Sequence, residues 1–122
     1  MEVILIVEDE QMNYLLLKEY LSEIGYITLL ARNGHEAIEY VRSKPDIQLV
    51  LMDLCMPEMD GTYATKLIKA IRPELPVVAQ TAYLHNNIQT NYEEHGFSAF
   101  LAKPYSQEQL IDVVKSLIHN KF

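Results

Sequence analysis

The chain has a single cysteine, Cys55, and only four glycines in 122 residues, and its 10 Lys and Arg are outnumbered by 17 Asp and Glu. One thiol cannot close an internal disulfide, which fits a reducing compartment. A net charge of −7 argues against a nucleic-acid surface, because phosphate binding needs clustered Lys and Arg. The scattered glycines make no glycine-rich phosphate loop; Gly34 and Gly61 serve turns. Long apolar runs are missing as well. Val3–Val7 and Leu49–Met52 fall far short of the ~20 residues of a membrane span. Met1-Glu2 opens directly onto an apolar run, with no basic segment or small-residue cleavage site, so no signal peptide is expected. No Pro/Ser/Gly-rich linker divides the chain. At roughly 150 residues per domain, residues 1–122 are expected to form one domain. It should be acidic and cytoplasmic, and touch neither nucleic acid nor membrane directly.

Short apolar runs alternate with longer amphipathic ones. Val3–Val7, Tyr26–Ala31, Gln48–Met52, Val77–Gln80 and Ala99–Ala102 read as strands, several of them apolar throughout, as in a parallel sheet buried on both faces. Met12, Leu15, Leu16, Tyr20, Leu21 and Ile24 follow helical spacing and are expected to face inward, with Gly25 ending the helix. Asn33 is placed to cap a second helix that carries Ala37, Ile38 and Val41 and stops before Pro45. Tyr63, Ala64, Leu67, Ile68 and Ile71 form a third stripe, ended before Pro73. His85–Glu94 is a fourth helix weakened by Asn86, Asn87, Thr90 and Asn91. Ser106 and Gln109 make a capping box for a last helix with Leu110, Val114, Leu117 and Ile118 inward. The pattern is an α/β fold: a (βα)5 chain winding right-handedly into a doubly wound, five-stranded parallel sheet. Ligands of such folds bind outside the carboxyl ends of the strands.

Polar residues collect at that edge. The first strand ends in Glu8, Asp9 and Glu10, the third in Asp53, the fourth in Thr81 and the fifth in Lys103. Strand ends are where solvated residues begin, so any one of these is unremarked alone. As a set they bring carboxylates close enough to raise one another's pKa unless a cation intervenes. Oxygen-only ligands suit a hard divalent ion such as Mg2+, with Mn2+ as the alternative. Carboxylates, a metal, an ammonium and a hydroxyl are equipment for phosphoryl transfer, with Asp53 as the candidate nucleophile.

These residues resemble the receiver domain of two-component response regulators. The motifs are Val7-Glu8-Asp9-Glu10, the loop from Asp53-Leu54-Cys55-Met56-Pro57 to Glu58-Met59-Asp60-Gly61, Thr81-Ala82 and Lys103-Pro104, and the likeness spans the chain. It implies a flavodoxin-like three-layer sandwich with strand order 2-1-3-4-5. It also implies a phosphorylation-dependent switch that is not itself an enzyme, in which Asp53 accepts a phosphoryl group from a partner's phosphohistidine. The partner would be a histidine kinase or a His-phosphotransfer domain. Asp9, Asp53 and the backbone carbonyl of Cys55 would bind Mg2+, with Glu8 acting through metal-bound water. Lys103 would pair with Asp53, and Lys103-Pro104 would be a cis peptide. Thr81 would hydrogen-bond the phosphoryl group and let Phe100 turn inward. Because Phe100 stands where the family commonly has Tyr, its contacts would be made by packing. Output, or homodimerisation, would use the fourth helix, the fifth strand and the last helix. Cys55 and Tyr83 would flank the hydrolytic water without orienting it, which implies slow self-dephosphorylation. The start and the Met56–Gly61 loop look like receivers of hybrid sensor histidine kinases, whose parent chain could be membrane-anchored; a DNA-binding regulator is the next context.

Two rivals share parts of this chemistry. A haloacid dehalogenase-type phosphatase wants a second Asp where this chain has Cys55, and an FMN-binding flavodoxin-like module wants a Ser/Thr/Gly loop where this chain has Glu8-Asp9-Glu10. His35, His85, His95 and His119 show no metal-ligand spacing, and Cys55 is expected to pack rather than react.

Overall fold

The computed structural model describes residues 2–54, 56, 61–81 and 92–118. Its strands are Val3–Val7 (β1), Ile27–Ala31 (β2), Ile47–Asp53 (β3), Val77–Thr81 (β4) and Ala99–Ala102 (β5). All pair in parallel, in the order β2-β1-β3-β4-β5. Among the described residues the α-helices are Gln11–Ser22 (α1), Gly34–Ser43 (α2), Gly61–Ile71 (α3) and Gln107–Ile118 (α4), and Tyr92–His95 forms a 3-10 turn.

Alternation along the strands divides the core in two. Val3, Leu5 and Val7 of β1, Val50 and Met52 of β3, and Val77 and Ala79 of β4 join Ala37 and Val41 of α2 and Ala64 and Ile68 of α3. Ile4 and Ile6, Leu49 and Leu51, Val78 and Leu101 join Leu17 and Leu21 of α1 and Leu110, Val114 and Ile118 of α4. The sheet is thus apolar on both faces, the three-layer arrangement that uniformly apolar strands require.

Local signals set the helix ends. Asn33 accepts from the Glu36 N–H at 2.9 Å, and Glu36 Oε1 accepts from the Arg32 N–H at 2.9 Å. The Ser106–Gln109 capping box is reciprocal, at 3.1 and 2.9 Å. Gly25 adopts φ +91°, and the chain leaves α1 with Gly25 N–H on the Ser22 carbonyl and Tyr26 N–H on the Leu21 carbonyl. That second bond explains why Tyr26, expected in the second strand, stands just before β2. Its N–H caps a helix instead of joining the ladder.

Two amphipathic stripes differ from expectation. On α1, Met12 is 75% exposed and Leu15 and Leu16 are also exposed, while Leu17 and Leu21 carry the burial. Apolar residues surround this helix almost completely, so spacing alone does not say which side faces the sheet. On α3, Ala64 and Ile68 are buried with Thr65, and Tyr63 is 62% exposed. Most of the expected helix His85–Glu94 lies outside the described residues; its last three residues begin the 3-10 turn.

Candidate functional site

The same alternation places the polar strand ends. Glu8 follows Ile4 and Ile6, Asp53 follows Leu49 and Leu51, Gln80 follows Val78, and Lys103 follows Leu101 at two-residue steps. Successive side chains point to opposite faces, so these four extend one row of apolar residues, on the α1/α4 side, beyond the carboxyl edge of the sheet. Asp53 and Gln80 are directly paired across β3 and β4.

Glu8, Asp9 and Asp53 offer carboxylate oxygens that all lie within 4.8 Å of one another. Glu8 is 1% exposed and Asp53 2%, whereas Asp9 faces solvent. The Lys103 ammonium stands 3.3 Å from Asp53 Oδ2 and 3.7 Å from Glu8 Oε1. Its approach is set by backbone: the Lys103 N–H donates to the Thr81 carbonyl at 2.7 Å, and the Lys103–Pro104 peptide is cis. Glu8 Oε2 accepts from the Glu10 N–H at 3.2 Å, while Oε1 has no hydrogen-bond donor among the described residues.

Burial is the main reason the Glu8 carboxyl is pushed up to about 7, followed by hydrogen bonding to Asp53 and by the Asp53 charge; Lys103 and the Glu10 N–H oppose them more weakly. The site therefore resists full ionisation by itself. An oxygen-only cluster holding a buried carboxylate oxygen with no donor fits a hard divalent cation in chemistry and in charge.

Thr81 is buried at the end of β4. Phe100 is half-buried on β5, packed against the α2/α3-side core with its ring 5.4 Å from that of Tyr92 and tilted by 52°. Cys55, residues 57–60, Ala82, Tyr83, His85 and His119 lie outside the described residues, and with them the expected carbonyl ligand and the two lifetime positions. His35 and His95 do not join the acidic group. Among the described residues no helix is long and apolar enough to cross a membrane.

Sequence reasoning missed two residues. Gln80 is fully buried, and its Oε1 accepts a hydrogen bond from the Tyr105 hydroxyl. The Tyr105 phenol is raised above the ordinary tyrosine range, first by burial and then by the Glu8 and Asp53 charges. The available signal was an amide inside Val77–Thr81, a strand with every residue buried.

The model of the response regulator receiver domain matches residues 4–115. The polar-differentiation response regulator DivK of Brucella anthropi is 34% identical over 119 residues, covering 94% of each chain. The receiver domain of the sensor histidine kinase PA1611 of Pseudomonas aeruginosa PAO1, solved with a magnesium ion coordinated in its active-site cleft, superposes with a TM-score of 0.87 at 28% identity, covering 97% of this chain and 98% of that one. The response regulator TrrA of Thermotoga maritima, solved with Mg2+ and BeF, gives 0.85 at 31% identity, over 96% and 99%.

Proposed function

The chain belongs to the response regulator receiver domain family and is a phosphorylation-dependent switch of two-component signalling, and on that premise we propose that Asp53 is its phosphoacceptor. The observation that carries this is the Lys103 ammonium 3.3 Å from a buried Asp53 whose acidic neighbours are Glu8 and Asp9. Receivers interact with histidine kinases or phosphotransfer proteins, so the donor in this reading is a phosphohistidine. An Asp53 carboxylate oxygen bonds to phosphorus as the bond to the donor imidazole breaks.

In this reading residues 1–122 form one receiver domain. Asp9 and Asp53 would hold Mg2+, with the Cys55 carbonyl as the expected third ligand and Glu8 reaching the ion through water; no observation favours Mn2+. The ion supplies charge neutralisation for the phosphoryl oxygens. Lys103 moves its pairing from the Asp53 carboxylate to those oxygens. Thr81 donates its hydroxyl to them, and Phe100, on the same side of the sheet as Thr81, repacks. The phosphoryl group can bias the active state only as far as these contacts differ between states. β5 and α4, with the segment before them, carry the output, and self-dephosphorylation is slow. Nothing favours the dehalogenase-type or flavin readings.

The test is intact mass after incubation with acetyl phosphate and Mg2+. The wild type should gain a single phosphoryl adduct and Asp53→Asn none. A wild type that gains nothing, or an Asp53→Asn variant that still gains it, sinks the reading.

A further inference from the structure

Gln80 occupies a place where packing alone would favour Leu. It is fully buried, follows Val78 on the α1/α4 side, and makes its described hydrogen bond through Oε1, which accepts from the Tyr105 hydroxyl. With Oε1 so engaged, its buried Nε2 has no hydrogen-bond partner among the described residues, and Gln80 lines a cavity of about 390 Å3 together with Glu8, Lys103 and Tyr105. A buried amide N–H without a protein partner is a cost to folding, lessened where a cavity can hold water. A residue kept at such a cost invites a role other than packing.

The position of Tyr105 supplies one. It follows Lys103 by two residues, and Tyr20 and Leu17 of α1 line the same cavity. The segment that carries Lys103 is therefore tied to β4 twice: through the Lys103 N–H on the Thr81 carbonyl, and through the Tyr105 hydroxyl on Gln80. A lysine stem is flexible and loses much rotamer freedom when its ammonium is held in one place. Tethering the backbone on both sides of the cis Lys103–Pro104 bond limits where that stem can begin.

We propose that Gln80 and Tyr105 form a clamp that positions the Lys103 ammonium on Asp53, making them positioning residues for phosphoryl acceptance. This rests on Asp53 being the phosphoacceptor. It predicts a separation of stability from rate. Gln80→Leu leaves the Tyr105 hydroxyl unpaired and Tyr105→Phe leaves the amide unpaired, so each single variant loses stability. The double variant Gln80→Leu/Tyr105→Phe removes both polar partners together and should regain wild-type stability. If the pair only packs, the double variant regains the rate as well. If it positions Lys103, the rate stays low.

Four measurements decide this on the full chain. Urea denaturation reports stability, acetyl phosphate labelling followed by intact mass reports rate, and acetic anhydride labelling of Lys103, read by peptide mass, reports how firmly the ammonium is held. The double variant should unfold at the wild-type midpoint, take phosphate at least fivefold more slowly, and acetylate Lys103 several-fold faster. Its Mg2+ affinity by calorimetry should stay within twofold or tighten, because a loosened Lys103 competes less with a cation. Val41→Ala, on the buried face of α2, should lose stability without losing rate. A double variant within twofold of wild type in both rate and Lys103 labelling overturns the clamp. A wild type that takes no phosphate fails the Asp53 reading instead, and Lys103 labelling then judges the clamp alone.

Discussion

Replacing Glu8 by Gln should make the metal-free protein more stable at neutral and alkaline pH. The Glu8 carboxyl titrates near 4.5 when unfolded and at about 7 in the fold. The folded state therefore keeps a proton that the unfolded chain has released, and stability falls as pH rises through that window. At about 1.4 kcal/mol for each tenfold in proton affinity, the loss is about 3 kcal/mol, complete above pH ~7. Coulomb's law gives a similar scale: two carboxylate oxygens within 4.8 Å of each other repel by at least roughly 3 kcal/mol at an effective dielectric of about 20. Gln imitates the protonated side chain in shape and neutrality. In EDTA the variant should match the wild type near pH 4.5 and exceed it by up to about 3 kcal/mol at pH 8, or roughly 10 °C in melting temperature for a domain of this size. Urea denaturation across that range measures the difference, which isolates Glu8 from other titrating groups. Parallel stability profiles for the two proteins would refute the reasoning, because Glu8 would then carry no more strain when charged than Gln does.

Other consequences are quickly checked. Mg2+ at about tenfold its Kd should stabilise the wild type at pH 8 by about 1.4 kcal/mol, and Asp9→Ala should lose most of that gain in a thermal melt. Gly61→Ala sets a methyl against Leu54 Cδ2, beside the Asp53 carbonyl; it should cost about 1–3 kcal/mol in urea denaturation, as overpacking does. Ser106→Ala removes the oxygen that accepts the Gln109 N–H and should cost about 1 kcal/mol, read in the same assay.

What was legible in the sequence was what neighbours in the chain decide. Val3–Val7 and Leu49–Met52 are apolar without alternation, and such runs have few places to go except a sheet covered on both faces. Asn33 and Ser106 announce their helices through residues three positions on, Glu36 and Gln109. Where neighbours decide less, the reading slipped. Met12, Leu15 and Leu16 satisfy helical spacing as well as Leu17 and Leu21 do, and only the sheet decides which side is covered. Gln80 needed a partner 25 residues away before its burial had any meaning. The strand-end acids and Lys103 were legible because each ends an apolar run, and the shared edge of a parallel sheet gathers what the chain disperses.

That gathering has an energetic consequence beyond geometry. Ile4, Leu49, Val78 and Leu101 and their partners on the α1/α4 side hold Glu8, Asp53 and Lys103 in place by packing that is indifferent to charge. Apolar packing does not weaken when carboxylates ionise, so the scaffold can keep Glu8 and Asp53 together against their repulsion. A domain of this kind has roughly 5–15 kcal/mol of stability in all, so a penalty of about 3 kcal/mol at one edge is large but bearable. One lysine offsets part of it, and the direction of the Glu8 shift says that the rest remains. A site left with residual repulsion responds to whatever brings positive charge or removes a negative one. The strain that lowers stability is therefore also what makes this edge of the sheet, rather than its well-paired interior, the part that answers to a cation or a phosphoryl group.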